Sequence, residues 1–130
     1  MSLLQPHAIH TLAQIVIGSV WVFHGIYSKI LNGIPRHRLI VGKILGKERA
    51  QIATRTIGAL EFLLGMWAFT GWQSVWCASI QTTAIIAMNS LEILMARELL
   101  ISAIGMLILN FGFLSLVWWW ATFTPGFGAH

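Results

Sequence analysis

Four runs of about 20 mostly apolar residues, in a chain of only 130, constrain this fold more than any other feature. The hydrocarbon core of a bilayer takes roughly 20 such residues per helix. The runs are 12–31 (LAQIVIGSVWVFHGIYSKIL), 53–72, 75–95 and 99–122, the last being the most apolar. All are too long for membrane strands, and none alternates as a strand would. Irregular backbone in lipid would leave amides unpaired at several kcal/mol each. Charged residues make up 9% of the chain, against about a quarter in a soluble domain. So few charges cannot cover a water-facing surface, and so apolar a chain is not disordered. The expectation is an all-α transmembrane four-helix bundle, one domain over 1–130, in contact with the lipid bilayer.

Charge sets the sidedness. Arg36, Arg38, Lys43, Lys47 and Arg49 fall between the first two runs, and Arg97 between the last two. Both termini and the turn 72–74 carry no Lys or Arg. The positive-inside rule then predicts cytoplasmic basic connections and both termini outside. Trp72, Trp76, Trp118, Trp119 and Trp120 are expected in the interfacial belt on that outer side. The start MSLLQPHAIH lacks the basic residues of a signal peptide, so the first run is expected to stay in the mature protein. Within the basic connection, Leu39, Ile40, Ile44 and Leu45 recur at helical spacing after Gly33 and Pro35. This predicts an amphipathic interfacial segment between helices one and two, either an anchor on anionic headgroups or a docking surface. It has no aromatic residue to stack bases, so nucleic acid is not an expected partner. The tail TPGFGAH reads as flexible.

Polar residues inside the runs each need a reason, because a charge at mid-membrane costs about 2.5–3.5 kcal/mol on insertion scales. The runs hold His24, Lys29, Glu61, Gln81, Asn89, Glu92 and Asn110. Counting from the cytoplasmic ends at 1.5 Å per residue puts His24, Glu61 and Asn89 in one layer roughly 10 Å deep. Lys29 and Glu92 lie about one turn nearer the cytoplasm, and helical side chains lean toward their own N-terminus. Lys29 therefore leans toward Glu61 across about 7.5 Å of rise, which its stem can largely span. Gly58, Glu61 and Gly65 share one helix face, small on both sides of the carboxylate, which suits close helix approach. Gln81, Asn89 and Glu92 form a stripe on the third run. On the first, Trp21, His24 and Ser28 share a face and Gly25 and Lys29 a neighbouring one. His24, Lys29, Glu61, Asn89 and Glu92 are thus candidates for ligand binding or proton handling in a small polar pocket. The competing reading is a Lys29–Glu61 ion pair and amide hydrogen bonds that hold four helices in register, with Glu92 paired to Arg97 or water.

Other chemistry finds no support in the pattern. His7 and His10 stand three apart without further ligands, so no metal site is expected. His24 is the only histidine inside a run, which argues against bis-histidine haem. Cys77 is the single cysteine and cannot run dithiol exchange. Neither a P-loop nor a dinucleotide fingerprint occurs.

The motifs Gly25-Ile-Tyr-Ser-Lys29 late in the first run and Gly58-Ala-Leu-Glu61-Phe-Leu-Leu-Gly65 in the second, closed by Gly71, make the chain resemble the DoxX-like membrane family. The resemblance spans about Val16 to Trp120. It implies a compact four-helix membrane bundle with Gly25, Lys29, Gly58, Glu61 and Gly65 at the family's signature positions; His24 is not among them. Relatives include a membrane subunit linked to thiosulfate and quinone oxidoreduction, and proteins that mature a methylamine-oxidising enzyme or chaperone membrane receptors. The function so implied is a redox-linked accessory subunit of a bacterial inner membrane, with no cofactor certain and quinone the candidate. The alternative is a non-enzymatic assembly, chaperone or structural subunit of a larger membrane complex, with a membrane protein or a second copy as partner. A small transporter is weaker, because four helices leave little room for a pore. No complete catalytic set is present, so whether the chain is an enzyme stays open.

Overall fold

The computed structural model describes residues 6–123; the tail TPGFGAH lies outside them. Among the described residues the chain is helical throughout, without strands. Helix α1 (Pro6–Val22) runs on as a π-helical segment, Phe23–Ile30. Helix α2 is Pro35–Leu45, α3 Lys47–Thr70, α4 Ser74–Met95 and α5 Ala103–Thr122, with a 3₁₀ turn at Arg97–Leu99. Four of these units are long and apolar enough to cross a membrane: His7–Ile30, Lys47–Thr70, Ser74–Met95 and Ala103–Thr122.

The helix ends depart from the hydropathy runs for local reasons. Within the described residues α1 begins six residues before the expected start, because a helix continues into polar sequence where hydropathy has already fallen. Likewise α3 begins at Lys47, taking KERAQI into its first turns. It is separated from α2 by Gly46 alone, which takes φ +102°, open to glycine without strain. The other end of α3 stops at Gly71, whose left-handed φ of +71° forms the C-cap. The last helix starts at Ala103 rather than 99. Ser102 is extended and its Oγ accepts from the Gly105 amide at 3.0 Å, an N-cap that sets the start.

Helix α1 and its π-helical continuation pack chiefly on α3, and α4 packs on α5. Glycine makes the first contact close. A β-carbon on Gly25 would strike the Gly58 carbonyl, one on Gly58 would strike the Gly25 carbonyl, and one on Gly65 would stand 2.8 Å from the Gly18 carbonyl. Backbone thus lies on backbone along this seam, as small residues permit between membrane helices. Gln14 closes one end of the seam. Its Nε2 donates to the carbonyls of Ala68 (2.9 Å) and Phe69 (2.7 Å), two of the acceptors α3 leaves open at its C-terminus.

The core gathers Ile17, Trp21, Leu64, Ala68, Cys77, Ala78, Ile85, Val117 and Trp120. This corrects part of the expected tryptophan belt. Trp72, Trp76 and Trp119 are exposed, but Trp120 is buried and Trp118 is half-buried with its Nε1 donating to Thr82 Oγ1 at 2.8 Å. That end of α5 packs inward on α1 and α4, so its indoles fill the core.

Candidate functional site

The site begins with the π-helical segment. Its hydrogen bonds skip one residue more than an α-helix allows, and the winding loosens further at its end. The Leu31 amide bonds to the Ile26 carbonyl at 2.9 Å and the Gly33 amide to Tyr27 at 2.7 Å. Asn32 follows in the left-handed region (φ +56°) and turns the chain into α2. Such segments are rare and commonly mark functional places in helices. The wider turn buries Gly25, Ser28 and Lys29 together. His24, one turn earlier, is half-buried and lines the cavity.

Lys29 Nζ lies 2.7 Å from Glu61 Oε1. The two residues are 8% and 6% exposed. The geometry follows from the glycines: Gly58 leaves room for Lys29 Cβ to lie on α3, and the stem then reaches one turn along α3 to Glu61. Each charge alone would be expensive when buried; the partner offsets part of that cost, and removing either one would leave the other buried and unpaired.

Around the pair opens a cavity of about 590 Å³. It lies between α1, α4 and α5, with Glu61 of α3 at its base and α2 across one end. His24, Lys29, Glu61, Asn89 and Glu92 all line it, although they come from three separate elements. Trp21, Ile85, Met106, Leu109 and Phe113 supply apolar wall. A smaller cavity of about 130 Å³ beneath α2 shares Lys29, His37, Ile40, Met88 and Glu92 with it.

The other polar wall groups are tied down. Trp21 Nε1 donates to the fully buried Gln81 Oε1 at 2.6 Å, and Gln81 Nε2 reaches Cys77 Sγ at 3.3 Å. Asn110 Nδ2 donates to Asn89 Oδ1 at 3.0 Å, joining α5 to α4. Glu92 makes no ion pair with Arg97 among the described residues; it faces the cavities, within electrostatic reach of Lys29 and Arg36. The acidic partner near that turn is Glu98, which meets Lys43 of α2 at 2.9 Å. Both groups are exposed, and this bond holds the Glu98 carboxyl below the usual carboxylate range.

Two wall residues, Arg36 and His37, were not among the sequence candidates. His37 stacks its ring on that of His24, centroids 6.0 Å apart and planes 29° from parallel. Burial pushes the His37 imidazole down to about 4, with the positive charge of Lys29 next in weight, followed by His24 and Arg36. At neutral pH it is uncharged. The signal was present in the sequence: His37 precedes Ile40 by three and Ile44 by seven, the spacing of one buried helix face. The expected amphipathic segment keeps Leu39, Lys43 and Leu45 exposed and turns this face toward the bundle. Ile40 is buried and α2 packs on α3, α4 and the π-helical segment, as a cap across the bundle end. Among the described residues, no cluster of three or more His, Cys, Asp or Glu converges as a metal site.

The family model of the DoxX-like family matches residues 18–118, which holds both glycine-rich motifs and the ion pair. The chain belongs to the DoxX-like family. Comparison with curated proteins gave no match, and neither did comparison with solved structures. Membership, with four membrane-length apolar helices, makes this DoxX-like chain an integral membrane protein whose outward helix faces contact the lipid bilayer.

Proposed function

We propose that this DoxX-like chain is a redox-linked accessory subunit, a single membrane domain that holds a quinone-type molecule in the cavity beside Lys29 and Glu61. The observation that carries the reading is the cavity itself. It has the size of a small-molecule site, mostly apolar walls and a few convergent polar groups at one end. His24, His37 and Asn89 offer hydrogen bonds to a carbonyl head, and the Lys29–Glu61 pair offers a proton and a place for one. The distribution of basic residues supports α2 on the cytoplasmic side of a bacterial inner membrane, with both termini outside.

The test is the quinone content of protein purified in mild detergent, extracted and quantified per chain. Near-stoichiometric quinone in the wild type, lost in His24→Leu, supports the reading; empty wild-type protein refutes it. A second reading, an assembly or structural subunit, draws on the outward flank of α5. There Ile104, Ile108 and Phe111 are exposed, and a β-carbon on Gly112 would meet nothing within 4 Å. Its mark would be a stoichiometric membrane protein partner co-purifying with a bundle that holds no small molecule.

A further inference from the structure

We propose that the occupant of this cavity is a single-tailed amphiphile with a neutral carbonyl head, and that its tail leaves sideways into the bilayer between α1 and α5, at the end of the bundle that α2 caps. This rests on the cavity being a ligand site and adds the ligand's shape, its charge and its route.

The route follows from how α1 and α5 part. At the end away from α2 they are joined: His10 Nε2 meets the Trp120 carbonyl oxygen at 2.8 Å, and the His10 ring packs on Trp119 and Trp120. Trp21 and Phe113 then meet edge to face at 6.2 Å and close the cavity on that side. Beyond them, the π-helical segment turns to α3 and α2 and has no comparable packing on α5. The wall of α5 there is open. Leu109 is 75% exposed and Ile101 83% exposed, yet both line the cavity. Residues that face both a cavity and the surroundings of a membrane helix mark a side opening toward lipid.

The charge follows from the lining. The lining carries Lys29 and Arg36 against Glu61 and Glu92, a formal balance, with Lys29 paired to Glu61; His24 and His37 add donors and acceptors. No excess cation remains to hold a phosphate. A phosphate head would enter a balanced, low-dielectric site without a counterion, which is costly. A neutral carbonyl needs only hydrogen bonds from the imidazoles and the Asn89 amide. An apolar tail leaving past Leu109 makes contacts similar to those it had in lipid, so the head decides recognition and the opening decides which molecules fit.

The test uses the full chain in bilayer discs with two probes, a decyl-substituted benzoquinone and the same ring without the tail. Leu109→Trp narrows the opening at an exposed position, so folding is preserved. Ile104→Trp, equally exposed but outside the cavity lining, controls for added bulk. Leu109→Trp is expected to weaken the decyl probe about tenfold, as modest overpacking would, and the tail-less ring less than about twofold. Ile104→Trp should change neither. The proposal is overturned if Leu109→Trp leaves the decyl probe unchanged, if it weakens both probes alike, or if mass spectrometry finds a phospholipid resident in the cavity. Binding of neither probe by the wild type removes the underlying ligand reading, a separate result from failure of the route.

Discussion

Replacing Gly58 with alanine addresses the closest crossing in the bundle. A β-carbon at Gly58 stands 2.5 Å from the Gly25 carbonyl oxygen, 2.9 Å from Lys29 Cβ and 3.0 Å from Ile30 Cγ1. Ordinary contact begins at 3.4 Å, so the two helices must part by about 0.9 Å along that line. The nearest obstacle is backbone and the next is the root of a side chain, so neither can swing away. Overpacking of this kind costs about 1–3 kcal/mol. Alanine returns about 0.5–1 kcal/mol by its better helix propensity. The net expected loss is therefore about 0–2.5 kcal/mol, centred near 1 kcal/mol, and the Lys29–Glu61 separation should lengthen with the helices. Gly112→Ala is the control: nothing lies within 4 Å of its added carbon, so it should be neutral or slightly stabilising. Both variants can be unfolded by denaturing detergent in mixed micelles and followed by tryptophan fluorescence. Equal midpoints for Gly58→Ala and Gly112→Ala would refute the close-crossing argument. A Gly25→Ala change should not add its full cost to Gly58→Ala, because the two substitutions act on one contact.

Two further outcomes follow from the buried pair and from α2. Lys29→Met and Glu61→Leu should each destabilise by about 3–5 kcal/mol, whereas the two combined should recover most of that loss; additive losses in the double-mutant cycle would rule out a coupled pair. His37 titrates near 4 when α2 is seated and near the ordinary 6.5 when α2 swings free. Between these values the free form takes up a proton that the seated form refuses, so seating is strongest above pH 6.5 and weakens as pH falls toward 4. A spin label at the exposed position 39 should gain mobility as the pH drops from about 7 to about 5, and the change should vanish in His37→Gln; an unchanged pH response in that variant would remove His37 as the sensor.

Much of this arrangement can be read from the chain. Depth counting brings Lys29 to Glu61 because both reckon from a helix end, and rise per residue is insensitive to side-chain detail. The Gly58 and Gly65 face is legible because small residues at helical spacing have a direct packing meaning. The rest depends on backbone geometry that hydropathy does not encode. The wider winding of Phe23–Ile30 leaves the apolar run intact, so hydropathy does not reveal it. The position of α2 depends on Asn32 and Gly46, whose positive φ values bend the chain under the bundle; a surface anchor and a buried cap share the same periodicity. Trp118 and Trp120 mislead for a related reason: an indole near a helix end is suited to both the membrane interface and a core, and only the neighbouring helices decide.

The widened stretch before Asn32 carries one more implication. In a regular α-helix each residue advances the direction of the next by about 100°. Removing a single residue between 23 and 28 would let the segment wind tighter; the tighter winding offsets much of that angle, and the remainder turns the Lys29 amine from its seat against Glu61. The length of this stretch is therefore bound to the bundle more tightly than the identity of exposed members such as Phe23 or Tyr27. Point changes at exposed positions there act locally, while a lost or gained residue changes the winding that seats Lys29.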